Sequence, residues 1–330
     1  MYNAFFGLHK KPFNMTPDPD FLFLTVRHRE ALVGLTYAIL DRKGFVVLTG
    51  DAGTGKTTLL ARVLQNVPAA KMQSSVILNP TLTPAEFLEL VLLDFGVREV
   101  PVSKARRLAL MQRLLVEGQK AGKVSTLIID EAHKLSLDVL EEVRLLGNFE
   151  HGDQKLLQIL LVGQNELSDL LERDDLRQLK QRIALRFTID PLSREVVDQY
   201  IRFRWTLAGG AEELPFTPEA VTQIGYGSRG IPRVINAVCD NALMLAFSEA
   251  SSLVEERHVR EAVKDLKLHL PDAAPATVPA SVPAAAPPPV VVEPMALEPL
   301  RLRTLERYGN GNGASHSFFG RWAGRWRRAG

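Results

Sequence analysis

The chain has 330 residues, 46% of them hydrophobic, enough for about two domains and a sizeable core. A formal charge of +2 argues against a globally basic nucleic-acid binder, although residues 301–330 hold seven arginines against one glutamate. The single cysteine, Cys239, excludes an internal disulfide framework and suits a reducing cytoplasm, and no apolar run approaches the roughly 18 residues of a membrane span.

At the start, Lys10 and Lys11 follow a short apolar patch, the reverse of a secretory signal. The first strong pattern comes at Phe45, where an apolar run leads into Gly50-Asp51-Ala52-Gly53-Thr54-Gly55-Lys56-Thr57-Thr58, the pattern G-x-x-x-x-G-K-T. A strand, a tight glycine turn and a following helix form a cradle of backbone N–H groups for nucleotide phosphates. In it Lys56 reaches the β- and γ-phosphates and the Thr57 hydroxyl ligates magnesium. These residues predict binding of a nucleoside triphosphate.

Ser75 to Asn79 reads as a second buried strand. Thr83-Pro84-Ala85-Glu86 then supplies an N-cap, a proline at N1 and a glutamate at N3. A helix over about 103–120 places Leu108, Met111 and Leu115 on one face. Thr126 to Ile129 reads as a buried strand ending in Asp130 and Glu131. Asp130 is positioned to hold magnesium through its water shell, and Glu131 to polarise a water for in-line attack on a γ-phosphate. The letters D-E-A-H at 130–133 do not make a helicase, since one P-loop and one carboxylate-ended strand are present, and His133 reads equally as an ordinary helix-start residue.

Further along, a helix is expected over about 136–149, a strand over Leu156 to Val162 and a fifth strand over Phe187 to Asp190. Alternating strands and helices predict an α/β fold with a five-stranded parallel sheet covered on both faces. After Pro191 the pattern turns helical, over 193–208, 217–228, 231–250 and 255–268, with Ser193 and Thr217 as caps. Prolines at 271, 275, 279, 283 and 287 then mark an extended spacer. The expected division is 1–190 for the α/β nucleotide-binding domain, 191–270 for a small all-helical lid, 271–300 for a Pro/Ala-rich linker and 301–330 for a basic aromatic tail. In that tail Phe318, Trp322 and Trp326 fall four apart beside Arg321, Arg325 and Arg328. Such a segment suits an anionic membrane interface, single-stranded nucleic acid, or no dedicated partner.

A P-loop α/β domain followed by a helical lid resembles the AAA+ ATPases. The resemblance implies a sensor role for Gln164, at the end of the strand Leu156 to Val162, toward the γ-phosphate. It likewise gives Arg233, in Gly230-Ile231-Pro232-Arg233, a reach from the lid to the nucleotide. Within Gln178 to Ile183, Arg182 corresponds to an arginine finger offered to a neighbouring subunit, with Arg177 and Arg186 as nearby alternatives. A narrower likeness, to the ExeA/GspA group, rests on Tyr2-x-x-Phe5-Phe6-Gly7-Leu8, Pro12-Phe13, Pro17-Asp18-Pro19, Phe23-Leu24, His28-x-Glu30-Ala31-Leu32, Gly44-Phe45 and Leu161-Val162-Gly163-Gln164.

What that likeness implies is ATP with Mg2+, hydrolysis, a homo-oligomer as ring or filament, and work on a bacterial envelope secretion or export assembly. The location expected is cytoplasmic, at most peripheral to the inner membrane. Two other readings share the same core: a transposition regulator that polymerises on DNA, and a nucleotide-gated scaffold with little turnover. Secretion members of the group carry a transmembrane helix and a peptidoglycan-binding domain after the ATPase, where this chain has the Pro/Ala spacer and basic tail.

Overall fold

Five mostly apolar segments become strands: β1 (Phe45–Gly50), β2 (Met72–Ile77), β3 (Val124–Ile129), β4 (Leu157–Val162) and β5 (Ile183–Ile189). The computed structural model describes residues 2–268. The linker 271–300 and the tail 301–330, with the expectations attached to them, lie outside the described residues. All five strands run parallel, in the order β2-β3-β4-β1-β5. β1, β3 and β4 are buried at every position, as central strands covered on both faces must be.

The two edge strands depart most from the sequence expectation. β2 occupies 72–77 rather than 75–79, because the polar Gln73 and Ser74 disguise its beginning. β5 begins at Ile183 rather than Phe187. There, half-buried Ile183, Leu185 and Phe187 alternate with exposed Ala184, Arg186 and Thr188, so no continuous apolar run marks the strand.

One core lies on the sheet. Val47, Leu127, Ile129 and Leu161 pack with Leu88 and Val91 of helix Pro84–Asp94, Met111 and Leu115 of helix Lys104–Lys120, and Val143 of helix Leu137–Leu146. The capping box at Thr83 forms as read: Thr83 Oγ1 accepts from the Glu86 N–H at 3.3 Å, and the Glu86 carboxylate accepts from the Thr83 N–H at 2.8 Å. At Ser193 the cap is only positional, since its side chain makes no capping hydrogen bond.

A second core is helical. Helices Arg194–Leu207, Pro218–Ser228, Pro232–Ser248 and Glu256–Asp265 bury Ile201, Trp205, Ile224, Val238, Leu243 and Val259 together, with Cys239 fully enclosed among them. Tyr2, Leu8, Phe13 and Phe21 join this core. Phe13 meets Phe216 edge-on at 6.0 Å, the Pro12 carbonyl accepts from Arg204 Nε at 2.6 Å, and the Tyr2 hydroxyl donates to Asp240. Helix Val26–Leu40 instead packs against β1 and β5, so the opening segment spans both layers. Among the described residues no helix is long and apolar enough to cross a membrane.

Candidate nucleotide-binding site

The strand order makes the site. β4 is inserted between β1 and β3, so the loops leaving β1 and β3 diverge around the end of β4 at the carboxyl edge of the sheet. The residues singled out at those three loops converge there.

After β1 the loop turns through Gly50, Gly53 and Gly55, all at positive φ, and Gly55 leads directly into helix Lys56–Asn66. Lys56 is only 6% exposed, and its Nζ donates to the carbonyls of Gly50 at 2.7 Å and Asp51 at 2.8 Å. Burial lowers its pKa, opposed by the carboxylates of Asp130, Glu131, Asp51 and Glu166. Among the described residues the hydrogen bonds of this buried ammonium go only to carbonyls of its own loop, so a strong donor faces weak acceptors.

Asp130 stands at the end of β3, 5% exposed, and accepts from the Thr57 hydroxyl through Oδ2 at 3.1 Å. Its Oδ1 accepts from the Glu131 N–H at 2.9 Å, while its own N–H is fixed to the Ile77 carbonyl at 2.9 Å. Burial raises the Asp130 pKa against the lowering effect of these hydrogen bonds and of Lys56. Thr57 and Asp130, 73 positions apart, are thus a single polar pair.

Glu131 has left the strand. It adopts a left-handed conformation, φ 55° and ψ 33°, and immediately precedes a short 3-10 turn over Ala132–Lys134 without a side-chain capping hydrogen bond. Such a backbone is uncommon for a residue with a Cβ and tends to cluster at functional sites. Burial pushes its carboxyl up, but the Lys134 ammonium at 3.1 Å, His133 and the Gln164 side chain together hold it below the ordinary glutamate value. His133 joins the same group. Its Nδ1 accepts from the Gln164 backbone N–H at 3.3 Å, which leaves Nε2 facing Glu131 Oε2 at 3.6 Å. His133 therefore ties the loop after β3 to the end of β4.

A second tie was not legible in the sequence. Asn165, next to Gln164, donates through Nδ2 to Asp51 Oδ1 at 2.6 Å and so connects β4 to the glycine loop. From the helical layer, the Arg233 N–H donates to the Gly53 carbonyl at 3.2 Å. A Cβ on Gly53 would come within 2.7 Å of Arg233 Cβ, so the tip of the loop and the start of helix Pro232–Ser248 are in direct contact.

The three arginines near residue 180 differ in their commitments. Arg182 donates to the Arg144 carbonyl at 3.0 Å and to Asn148 Oδ1 at 2.6 Å, and Arg186 faces Glu172 at 3.6 Å. The Arg177 side chain is exposed and has no hydrogen-bond or ion-pair partner among the described residues.

Residues 39–171 match the family model described as an AAA domain. Over 255 residues, 76% of the chain, the sequence is 44% identical to general secretion pathway protein A of Aeromonas hydrophila. The chain belongs to the AAA+ proteins of the ExeA/GspA type. The match covers 46% of that relative, so this AAA+ chain spans less than half of the relative's length. In fold it is similar to Aeropyrum pernix ORC2 in its ADPNP and ADP complexes, with a TM-score of 0.58 at 19% identity over 78% of this chain and 71% of that one. It is also similar to the Thermotoga maritima RuvB Holliday junction branch migration motor, with a TM-score of 0.52 at 20% identity over 77% and 73% of the two chains.

Proposed function

We propose that this AAA+ protein binds ATP with Mg2+ and hydrolyses it, and that the energy serves a secretion or export assembly of the cell envelope. The observation that carries the chemical part is the pairing of Thr57 with Asp130 beside buried Lys56. Among the described residues no cluster of three or more His, Cys, Asp or Glu could hold a metal alone. A magnesium ion would therefore take the Thr57 hydroxyl, the Asp130 carboxylate directly or through water, and phosphate oxygens, the pattern this ion favours. When bound, it neutralises charge on the β- and γ-phosphates.

The protein's own groups divide the remaining work. Lys56 exchanges two carbonyl oxygens for the more strongly accepting phosphate oxygens. Glu131, ionised at neutral pH and aligned by His133 and Lys134, accepts a proton from the attacking water. Gln164 lies against that carboxylate and senses the γ-phosphate, while Arg233 approaches from the helical layer over Gly53. In a homo-oligomer, the uncommitted guanidinium of Arg177 is better suited than Arg182 or Arg186 to reach a neighbour's nucleotide, since each of those would first have to give up a partner. The similarity to general secretion pathway protein A supports the envelope assignment.

Glu131→Gln should retain ATP binding and lose at least about a hundredfold in turnover, as expected for removal of a general base. Lys56→Ala should weaken nucleotide binding itself. Turnover of the Glu131 variant at the wild-type rate would refute the base assignment. Measuring turnover alone, with duplex DNA and with anionic liposomes separates the envelope reading from a DNA-directed one: strong stimulation by DNA that falls with salt would overturn the former.

A further inference from the structure

The motif His28-x-Glu30-Ala31-Leu32 has no part in the chemistry above, yet His28 sits against the glycine loop. It lies in the first turn of helix Val26–Leu40 and is 3% exposed. The helix cap Thr25 accepts from the His28 backbone N–H at 3.2 Å, and Thr25 Oγ1 lies 2.7 Å from His28 Nδ1. On the other side of the ring, Nε2 is 3.3 Å from the Thr54 carbonyl oxygen. A carbonyl only accepts, so Nε2 carries the hydrogen, and Nδ1 is free to accept from the Thr25 hydroxyl. Burial holds the His28 pKa below the ordinary value, which favours this singly protonated ring.

The consequence lies one atom further on. A trans peptide is planar, so a carbonyl fixed in one direction fixes the next N–H in the opposite one. Here the next residue is Gly55, at φ 98°, whose missing Cβ leaves the 54–55 peptide free to rotate unless something holds it. The Gly55 N–H has no acceptor among the described residues.

We infer that His28 is a positioning residue for the phosphate loop: its Nε2–H holds the Thr54 carbonyl back and thereby aims the Gly55 N–H at the diphosphate portion of a bound nucleotide. This rests on the nucleotide reading above.

The test uses three variants of the full chain. His28→Gln can return an amide N–H to the place of Nε2, His28→Asn reaches only the place of Nδ1, and His28→Ala supplies neither. The readouts are the dissociation constant for ADP, from equilibrium titration, and the melting temperature of the nucleotide-free protein. The ADP dissociation constant should rise about tenfold in the Asn and Ala variants, the scale of one hydrogen bond to a charged acceptor. It should stay close to wild type in the Gln variant, with the Gln and Asn variants melting together. If the Asn variant binds ADP as wild type does, or the Gln variant is as weak as Asn, the inference fails. The same holds if the loss of affinity merely follows the loss of melting temperature. Lys56→Ala separates the two levels: equally poor ADP binding by wild type and that variant would overturn the nucleotide reading itself. Tight wild-type binding lost on Lys56→Ala but kept in His28→Asn would overturn only the role of His28.

Discussion

Gly230 sits where the chain enters the helix that bears Arg233. At φ 73°, a Cβ there would lie 1.9 Å from the Leu192 carbonyl oxygen, while the Gly230 carbonyl accepts from the Leu192 N–H at 2.8 Å. A left-handed backbone and a backbone contact thus demand glycine together. Gly230→Ala should cost well over about 1 kcal/mol, because the native conformation is closed to alanine. Chemical denaturation would check the size, and a change below that figure would mean that the entry to the helix can shift. The same residue-scale logic explains what the sequence hid at the site. His133 and Asn165 each touch a partner that is remote in the chain, and no local spacing signals either contact.

Individual elements followed local rules unevenly. The start of helix Pro84–Asp94 was legible to the residue because it is written in four consecutive side chains whose hydrogen bonds are local. Thr83→Ala removes an exposed cap and should destabilise the protein by about 1 kcal/mol, seen as a shift in denaturation midpoint without loss of cooperativity. An unchanged midpoint would show that the packing of Phe87 and Leu88 alone holds the helix end. β5 shows the opposite case. As an edge strand it half-buries only alternate side chains, so Ile183 to Arg186 do not read as strand until β1 supplies the hydrogen-bond partners.

Across the whole molecule, the opening segment joins the layers. Phe13 is fully buried in the helical core, and Arg204 reaches back to the Pro12 carbonyl. Further along the same segment, His28, held by Thr25, touches the glycine loop. Phe13→Ala should cost about 3–5 kcal/mol through lost burial and an unfilled cavity. Because Phe13 lies in the second core, its loss should open the helical layer first; hydrogen exchange would detect faster opening of residues 194–265 than of β1, β3 and β4. Equal acceleration throughout would instead indicate one indivisible folding unit.

The amino-acid sequence alone determined the alternating α/β pattern, the glycine loop, the carboxylate pair after a buried strand and the helical region beyond Pro191. Each of these depends on chemistry within a few neighbouring residues. Tertiary structure decided the insertion of β4 between β1 and β3, the seating of the first residues among the late helices, and the meeting of Thr57 with Asp130. Those outcomes depend on which distant surfaces bury each other most completely, a property of the assembled chain that periodicity and spacing do not encode.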